Sequence, residues 1–166
     1  MYHFTKKFLK EKGYRRYEIS NYALPGRECI HNEGYWIGVD YLGLGLGATS
    51  LLEGERFSVT RSLDAYLALG AEELARGAQY ESRERLSVQE RMEEFMFLGL
   101  RLTDGVSAEK FEKRFGCMIE SVYGQAFSAL LEDGLLELSG SGNERRYRMT
   151  ERGMDVSNRV LAEFLL

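Results

Sequence analysis

Cysteine is scarce in this chain: Cys29 and Cys117 are the only two among 166 residues, 88 positions apart. That spacing excludes a disulfide framework and any paired-cysteine metal motif. Two free thiols suit a reducing compartment. There is also no apolar run near the roughly 20 residues a membrane span requires, and no secretory apolar region follows the opening MYHFTKKF. The expected compartment is therefore the cytoplasm. Histidine is equally scarce, with only His3 and His31. Positive charge is short where a nucleic-acid binder would need it: residues 1–83 hold eleven basic and eleven acidic side chains, residues 84–166 eleven and fifteen. An acidic second half counts against DNA as partner, because phosphate binding draws on clustered Lys and Arg. What is present, 44% hydrophobic and 29% charged residues, is the balance of a soluble globular protein with material for one domain or two small ones.

Along the chain, FTKKFLKEKG places Phe4, Phe8 and Leu9 on one helical stripe that stops at Gly13. YRRYEISNYA alternates, with Tyr17 and Ile19 to one side and Glu18 and Ser20 to the other, and predicts a strand over 16–22. The only proline, Pro25, forms a turn with Gly26. After a loop or short helical turn, DYLGLGLGATS predicts a strand over 41–47 whose glycines Gly43, Gly45 and Gly47 bare one face for close approach of a backbone or ligand. RFSVT predicts a strand over 56–60, and Ser62 caps LDAYLAL, which Gly70 closes. GAQYESRER is patternless, and a domain boundary is placed there, near residue 83. Beyond it, Ser87 and Glu90 form a capping box for a helix turning Phe95, Leu98 and Leu102 inward. Ser107 caps a helix ending at Gly116, and another runs from Ile119 to Gly134. LLEL and RRYRM form a hairpin, and Thr150 opens a closing helix. Three helices, a two-stranded wing and a last helix make a winged-helix arrangement.

Three constellations invite a functional reading. GLGLGA matches the dinucleotide fingerprint as a string, but no long helix follows, so a close-packed glycine strand is favoured. Arg145, Arg146 and Arg148 stand on the wing, yet IESVYGQAFSALLEDG, the segment that would enter the major groove, has no Lys or Arg. CIHNEGYW, residues 29–36, gathers Cys29, His31, Asn32, Tyr35 and Trp36. One reading is a loop whose histidine satisfies its neighbours, with Trp36 plugging the core. The other is a haem site: imidazole, thiolate or tyrosinate as axial ligand, aromatic rings stacking on the porphyrin, and Asn32 fixing the imidazole tautomer. Zinc is two ligands short.

YEISNYA, ECIHNEGYW and DYLGLGLGA, in that order, resemble the radical S-adenosylmethionine proteins related to oxygen-independent coproporphyrinogen III oxidase, specifically the haem chaperone branch called HemW. EFMFLGLRLTDGVS, FEKRFG, ALLEDGLLEL and YRMTERGMDVSN resemble that family's C-terminal domain, so the likeness covers the whole chain. It implies an α+β chain: remnant strands and helices of a partial α/β barrel over 1–83, carrying the HNxxY motif, then a winged-helix-like domain over 84–166. The family's CxxxCxxC motif, which binds a [4Fe-4S] cluster that cleaves S-adenosylmethionine, is missing, so the chain alone is expected to be inactive as a radical enzyme. HNxxY stands here as His31, Asn32 and Tyr35. The resemblance makes His31 the leading haem ligand, supported by Tyr35 and Cys29, with haem passed to an acceptor protein. Relatives often read GAHS where this chain has Gly47-Ala48-Thr49-Ser50, so a second histidine ligand would have to be His3. A rival reading makes the chain the substrate pocket and lid of a coproporphyrinogen III oxidase, with Glu18, Asn21, Arg15, Arg16 and Arg27 as pocket candidates and the arginines meeting propionates. A free winged-helix interaction module is the weakest reading. Uncovered strand edges predict self-association.

Overall fold

The computed structural model describes residues 2–166. In chain order the elements are α1 (Tyr2–Glu11), β1 (Arg15–Arg16), β2 (Tyr22–Ala23), α2 (Ile30–Trp36), β3 (Thr49–Leu52), β4 (Glu55–Val59), α3 (Leu63–Leu67), α4 (Ala71–Ala75), β5 (Tyr80–Arg85) and α5 (Val88–Gly99). Then come β6 (Val106–Ser107), α6 (Ala108–Phe115), α7 (Ile119–Glu132), β7 (Leu136–Ser139), a 3-10 turn (Gly142–Glu144), β8 (Arg146–Met149), α8 (Glu151–Asp155) and α9 (Ser157–Ala162). Two compact units result, one from Met1–Gly38 with Met92–Leu166, the other from Val39–Arg91. The boundary expected near residue 83 falls inside β5, which pairs with β4 and so cannot be a linker. Its polar sequence misled because the strand is exposed at five of its six positions and shows no alternation.

The larger unit holds the main core. Phe111, Ile119, Tyr123, Phe127, Val160, Leu161 and Phe164 come together there, each at most 2% exposed. Their rings tile edge to face, as Tyr123 does on Phe164 with centroids 5.4 Å apart, a geometry that brings ring edges onto negative faces. Ser107 Oγ accepts from Lys110 N–H at 3.3 Å to start α6, as its position before an amphipathic run predicts. On α5 the reciprocal bonds of the capping box form: Ser87 Oγ accepts from Glu90 N–H at 3.1 Å, and Glu90 Oε2 accepts from Ser87 N–H at 2.7 Å. Those bonds to Ser87 hold the Glu90 carboxyl below its ordinary range. The buried face of α5 is Met96 and Gly99, with Leu100 just beyond, not the expected Phe95, Leu98 and Leu102, which are half-buried. The stripe is rotated by about one residue because Met96 and Leu100, four apart, point at the core.

The C-terminal hairpin is richer than its sequence suggests. β6, β8 and β7 form one three-stranded antiparallel sheet in that order, so β8 is central and β6 adds a short outer strand. Tyr147 on β8 stacks on Phe127 of α7 with centroids 3.7 Å apart. Its hydroxyl donates to Glu120 Oε1 at 2.9 Å. Burial, and then that bond to a carboxylate, push the Tyr147 pKa up to about 12. The closing helix divides at Val156 into α8 and α9. Thr150 Oγ1 still starts it by accepting from Gly153 N–H at 3.0 Å.

Two expected strands are absent from the described residues. The stretch 16–22 is a small hairpin, with β1 and β2 antiparallel and Arg16 opposite Tyr22, and Glu18 makes only an isolated bridge to Leu102. Tyr17 N–H donates to the Asn21 carbonyl at 3.2 Å and folds the segment back on itself. The stretch 41–47 is irregular apart from a bridge from Tyr41 to Leu51, and Leu42, Leu44 and Leu46 are exposed. Gly43 does meet another backbone closely: a Cβ there would collide with the Thr49 carbonyl. Gly45 and Gly47 have no such neighbour and serve the chain by positive φ, at 93° and 70°. In the smaller unit, the sheet β3-β4-β5 turns at Glu53-Gly54, both with positive φ, the two-residue geometry that matches strand twist.

Candidate functional site

Residues 29–36 form a helix and its cap, which settles how their side chains can meet. Cys29 is the extended N-cap of α2, with its carbonyl accepting from Glu33 N–H at 3.0 Å, and its own side chain is exposed. Glu33 in the first turn complements the positive end of the helix. The helix closes through Ile37 N–H to the Glu33 carbonyl at 3.0 Å. His31 and Tyr35, four apart, therefore share one face, and their rings meet edge to face at 4.9 Å and 81°. The imidazole is exposed, and among the described residues it makes no hydrogen bond. Asn32 sits one position on, rotated by about 100° around a helix of 3.6 residues per turn. It makes no hydrogen bond to His31 among the described residues, so the tautomer-fixing role expected of it is not supported by geometry.

The opposite side of α2 is anchored. The Arg101 guanidinium lies over the Trp36 ring, 4.4 Å from its centroid, a cation–π contact. Arg101 also reaches the carboxylate of Glu18, Nη2 to Oε2 at 3.4 Å. Glu18 is fully buried, and its other oxygen accepts from Ser20 N–H at 2.7 Å. A buried carboxylate is tolerated only with such partners. The chain β1–β2, the end of α5 and α2 are thus tied through three side chains. Glu18, a pocket candidate from the sequence, is closed off from solvent. Arg101 carried no signal in the sequence, because its partners lie 65 and 83 positions away.

The remaining candidates disperse. Arg15 and Arg16 line a cleft, but Arg27 lies exposed on its turn and does not line it, so the three arginines do not form one cluster. Arg16 is mostly buried, its Nε donating to the carbonyls of Glu18 at 3.3 Å and Ile19 at 3.0 Å. Asn21 is half-buried and uses its carbonyl in the hairpin. His3 stands on α1 beside Asp155, Nε2 to Oδ2 at 3.9 Å, and has no contact with His31 among the described residues. No set of three His, Cys, Asp or Glu side chains able to hold a metal ion occurs among the described residues. The arginines of RRYR are engaged within the protein: Arg145 with Glu120 at 3.2 Å, Arg148 with Glu137 at 2.7 Å, and Arg146 with the carbonyls of Asp104 and Gly105 at 2.8 and 2.9 Å.

Comparison with known proteins places this geometry. Residues 86–156 match the model of the HemN C-terminal domain. The heme chaperone HemW of Lactococcus lactis is 37% identical over all of this chain and 41% of its own length. That of Bacillus subtilis is 33% identical over 99% of this chain and 42% of its own. The chain is similar in sequence to the HemW heme chaperones, and its second half matches the HemN C-terminal domain model. It spans about two-fifths of the length of these curated relatives. The coproporphyrinogen III oxidase HemN of Escherichia coli, described as a radical SAM enzyme, superposes with a TM-score of 0.72 at 14% identity, over 98% of this chain and 39% of that one. That likeness carries the mixed helix-and-sheet fold. No helix of the described residues is long and apolar enough to cross a membrane. Cys29 and Cys117, the two cysteines of this chain, cannot by themselves supply the three thiolates of an open [4Fe-4S] site.

Proposed function

We propose that this HemW-like chain binds haem through His31 and, as part of a full-length protein, holds it for transfer to an acceptor protein. The observation that carries the reading is the exposed imidazole on α2, without a protein hydrogen bond, on a helix whose other side is fixed by Trp36 and Arg101. An axial ligand needs a free ring nitrogen on a support that does not collapse around it. Tyr35 packs its ring against the imidazole and limits its rotation, and Cys29, two residues before it at the helix cap, is the nearest thiol in sequence. The curated relatives are named heme chaperones, in keeping with haem as cargo. The rival reading, a porphyrinogen substrate pocket built on Arg15, Arg16 and Arg27 with Glu18 and Asn21, loses ground because Arg27 stands apart and Glu18 is buried.

Two structural proposals accompany the function. Residues 84–166 make a winged-helix-like domain in which α7 takes the place of a recognition helix, and residues 1–83 supply the last part of a partial barrel. The haem titration tests the main reading: absorbance at the Soret band, with His31→Ala, His3→Ala and Tyr35→Phe beside wild type. His31→Ala should shift the maximum and weaken binding by about tenfold or more, the cost of roughly 1.4 kcal/mol of ligation. His3→Ala and Tyr35→Phe should keep the wild-type spectrum. Superimposable spectra and affinities for His31→Ala and wild type would overturn it.

A further inference from the structure

A cleft of 470 Å³ lies between α1, the β1–β2 hairpin and the β8–α8 corner, and no residue of 29–36 lines it. Its charged lining is Lys6, Lys10, Arg15, Arg16 and Arg148 against Glu137 and Glu151, an excess of three positive charges on a chain whose net charge is −4. The pairing is uneven. Lys6 and Arg16 share Glu151, with Arg16 Nη1 at 3.8 Å, and Arg148 is paired with Glu137. Lys10 and Arg15 have no carboxylate partner among the described residues. Cations gathered in a concave, low-dielectric wall repel one another and focus a positive field outward, and an anion in the cleft relieves both effects.

The geometry is preorganised. Arg16 is held by two backbone carbonyls, so its guanidinium keeps one direction, and Lys10 and Arg15 flank the tight turn at Gly13 that joins α1 to β1. Tyr14, Tyr22, Met149 and Met154 supply the apolar part of the wall. We propose that this cleft is a second ligand site, separate from His31, that binds a small organic anion carrying two or more carboxylate or phosphate groups. Bidentate guanidinium contacts and ammonium contacts recognise either group.

Calorimetry on the whole 166-residue chain at low salt tests it, with benzene-1,3,5-tricarboxylate and pyrophosphate as probes and the trimethyl ester of the first as the uncharged control. At least one anion should bind one to one, the ester should not, and the stronger of the two identifies the carboxylate or the phosphate source. Lys10→Gln/Arg15→Gln, which alters two exposed side chains without carboxylate partners, should weaken binding by about tenfold or more, as loss of two charge-assisted contacts requires. Arg27→Gln and His31→Ala should leave it unchanged. Added salt must weaken wild-type binding steeply, a readout that needs no variant. Absence of binding by both anions, binding insensitive to salt, or a double variant within about twofold of wild type would overturn the proposal.

Discussion

Two buried phenols of the larger unit have opposite surroundings and so opposite mutational outcomes. Tyr147 donates to Glu120, whereas the Tyr123 hydroxyl is buried with no hydrogen-bond partner. Tyr147→Phe should cost about 1.5 kcal/mol at neutral pH, the scale of a hydrogen bond to a charged group. Tyr123→Phe should be neutral or slightly stabilising, since it removes an unpaired polar atom. Burial raises both phenols to about 12, with the Glu120 bond adding to the shift at Tyr147 and the Glu93 charge at Tyr123. The folded pKa lies above the unfolded value near 10, so the proton is held more tightly in the fold. That stability is fully present below pH 10 and is lost as pH rises through 10 towards 12. Thermal melts across that window, read beside phenolate absorbance, should show the loss in wild type and a shallower slope in each Phe variant. Gly105 makes a third case at this scale. It has φ +65°, and a Cβ would strike the Tyr147 carbonyl and Arg148 Cα, so Gly105→Ala should destabilise by about 3 kcal/mol or more. A denaturation midpoint unchanged from wild type would contradict it.

At the scale of elements, α7 and the β7–β8 hairpin give reasons to expect that the arginines of RRYR make no DNA site. α7 carries Glu120 and Glu132 and no basic residue, and Asp133 caps it. Arg145 turns back onto Glu120, and Arg148 onto Glu137, so phosphate would have to compete with standing ion pairs. Counterion release then has little to draw on. An electrophoretic shift assay at low salt should show no retained duplex at micromolar protein. Retention that fades with salt and vanishes in Arg145→Ala/Arg146→Ala/Arg148→Ala would restore the DNA reading. The same scale shows how α2 works: Trp36 and Arg101 secure one face of a seven-residue helix too short to be stable alone, which leaves His31 on the other face at liberty.

For the whole molecule, uncovered apolar surface is the leading feature. Phe4 and Phe8 of α1 are 71% and 47% exposed, and Ile30 and Leu44 are each 83% exposed. In the three-stranded sheet, β3 and β5 are outer strands. Scattered exposed apolar residues are ordinary, but with open edges they are templates for association. Light scattering at micromolar concentration should therefore report species larger than a monomer, with binding of an apolar dye. A clean monomer without dye binding would show that these surfaces are satisfied within one chain.

Local chemistry was legible in the sequence wherever one residue and its near neighbours suffice. Ser62, Ser87, Ser107 and Thr150 start helices where their spacing predicts, because a cap is made within three residues. The hairpin of β7 and β8 was legible for the same reason, from a turn flanked by alternating strands. HNxxY marked out His31 and Tyr35, and only the helical backbone showed that they share a face while Asn32 does not. Tertiary structure alone determined the rest. Glu18 alternates like an outward strand residue, yet it is buried because Arg101, 83 positions away, meets its charge. The glycine stretch reads as a strand by period, but among the described residues the backbone of 42–48 meets a neighbouring strand only at its end, where Gly47 N–H donates to the Thr60 carbonyl and the Ala48 carbonyl accepts from Val59 N–H, and its leucines stay exposed. β5 reads as a linker by composition and is a strand because β4 offers its edge. For Glu18 and β5 the deciding partner is distant in sequence, and hydrogen bonding and charge pairing across space outweigh local periodicity.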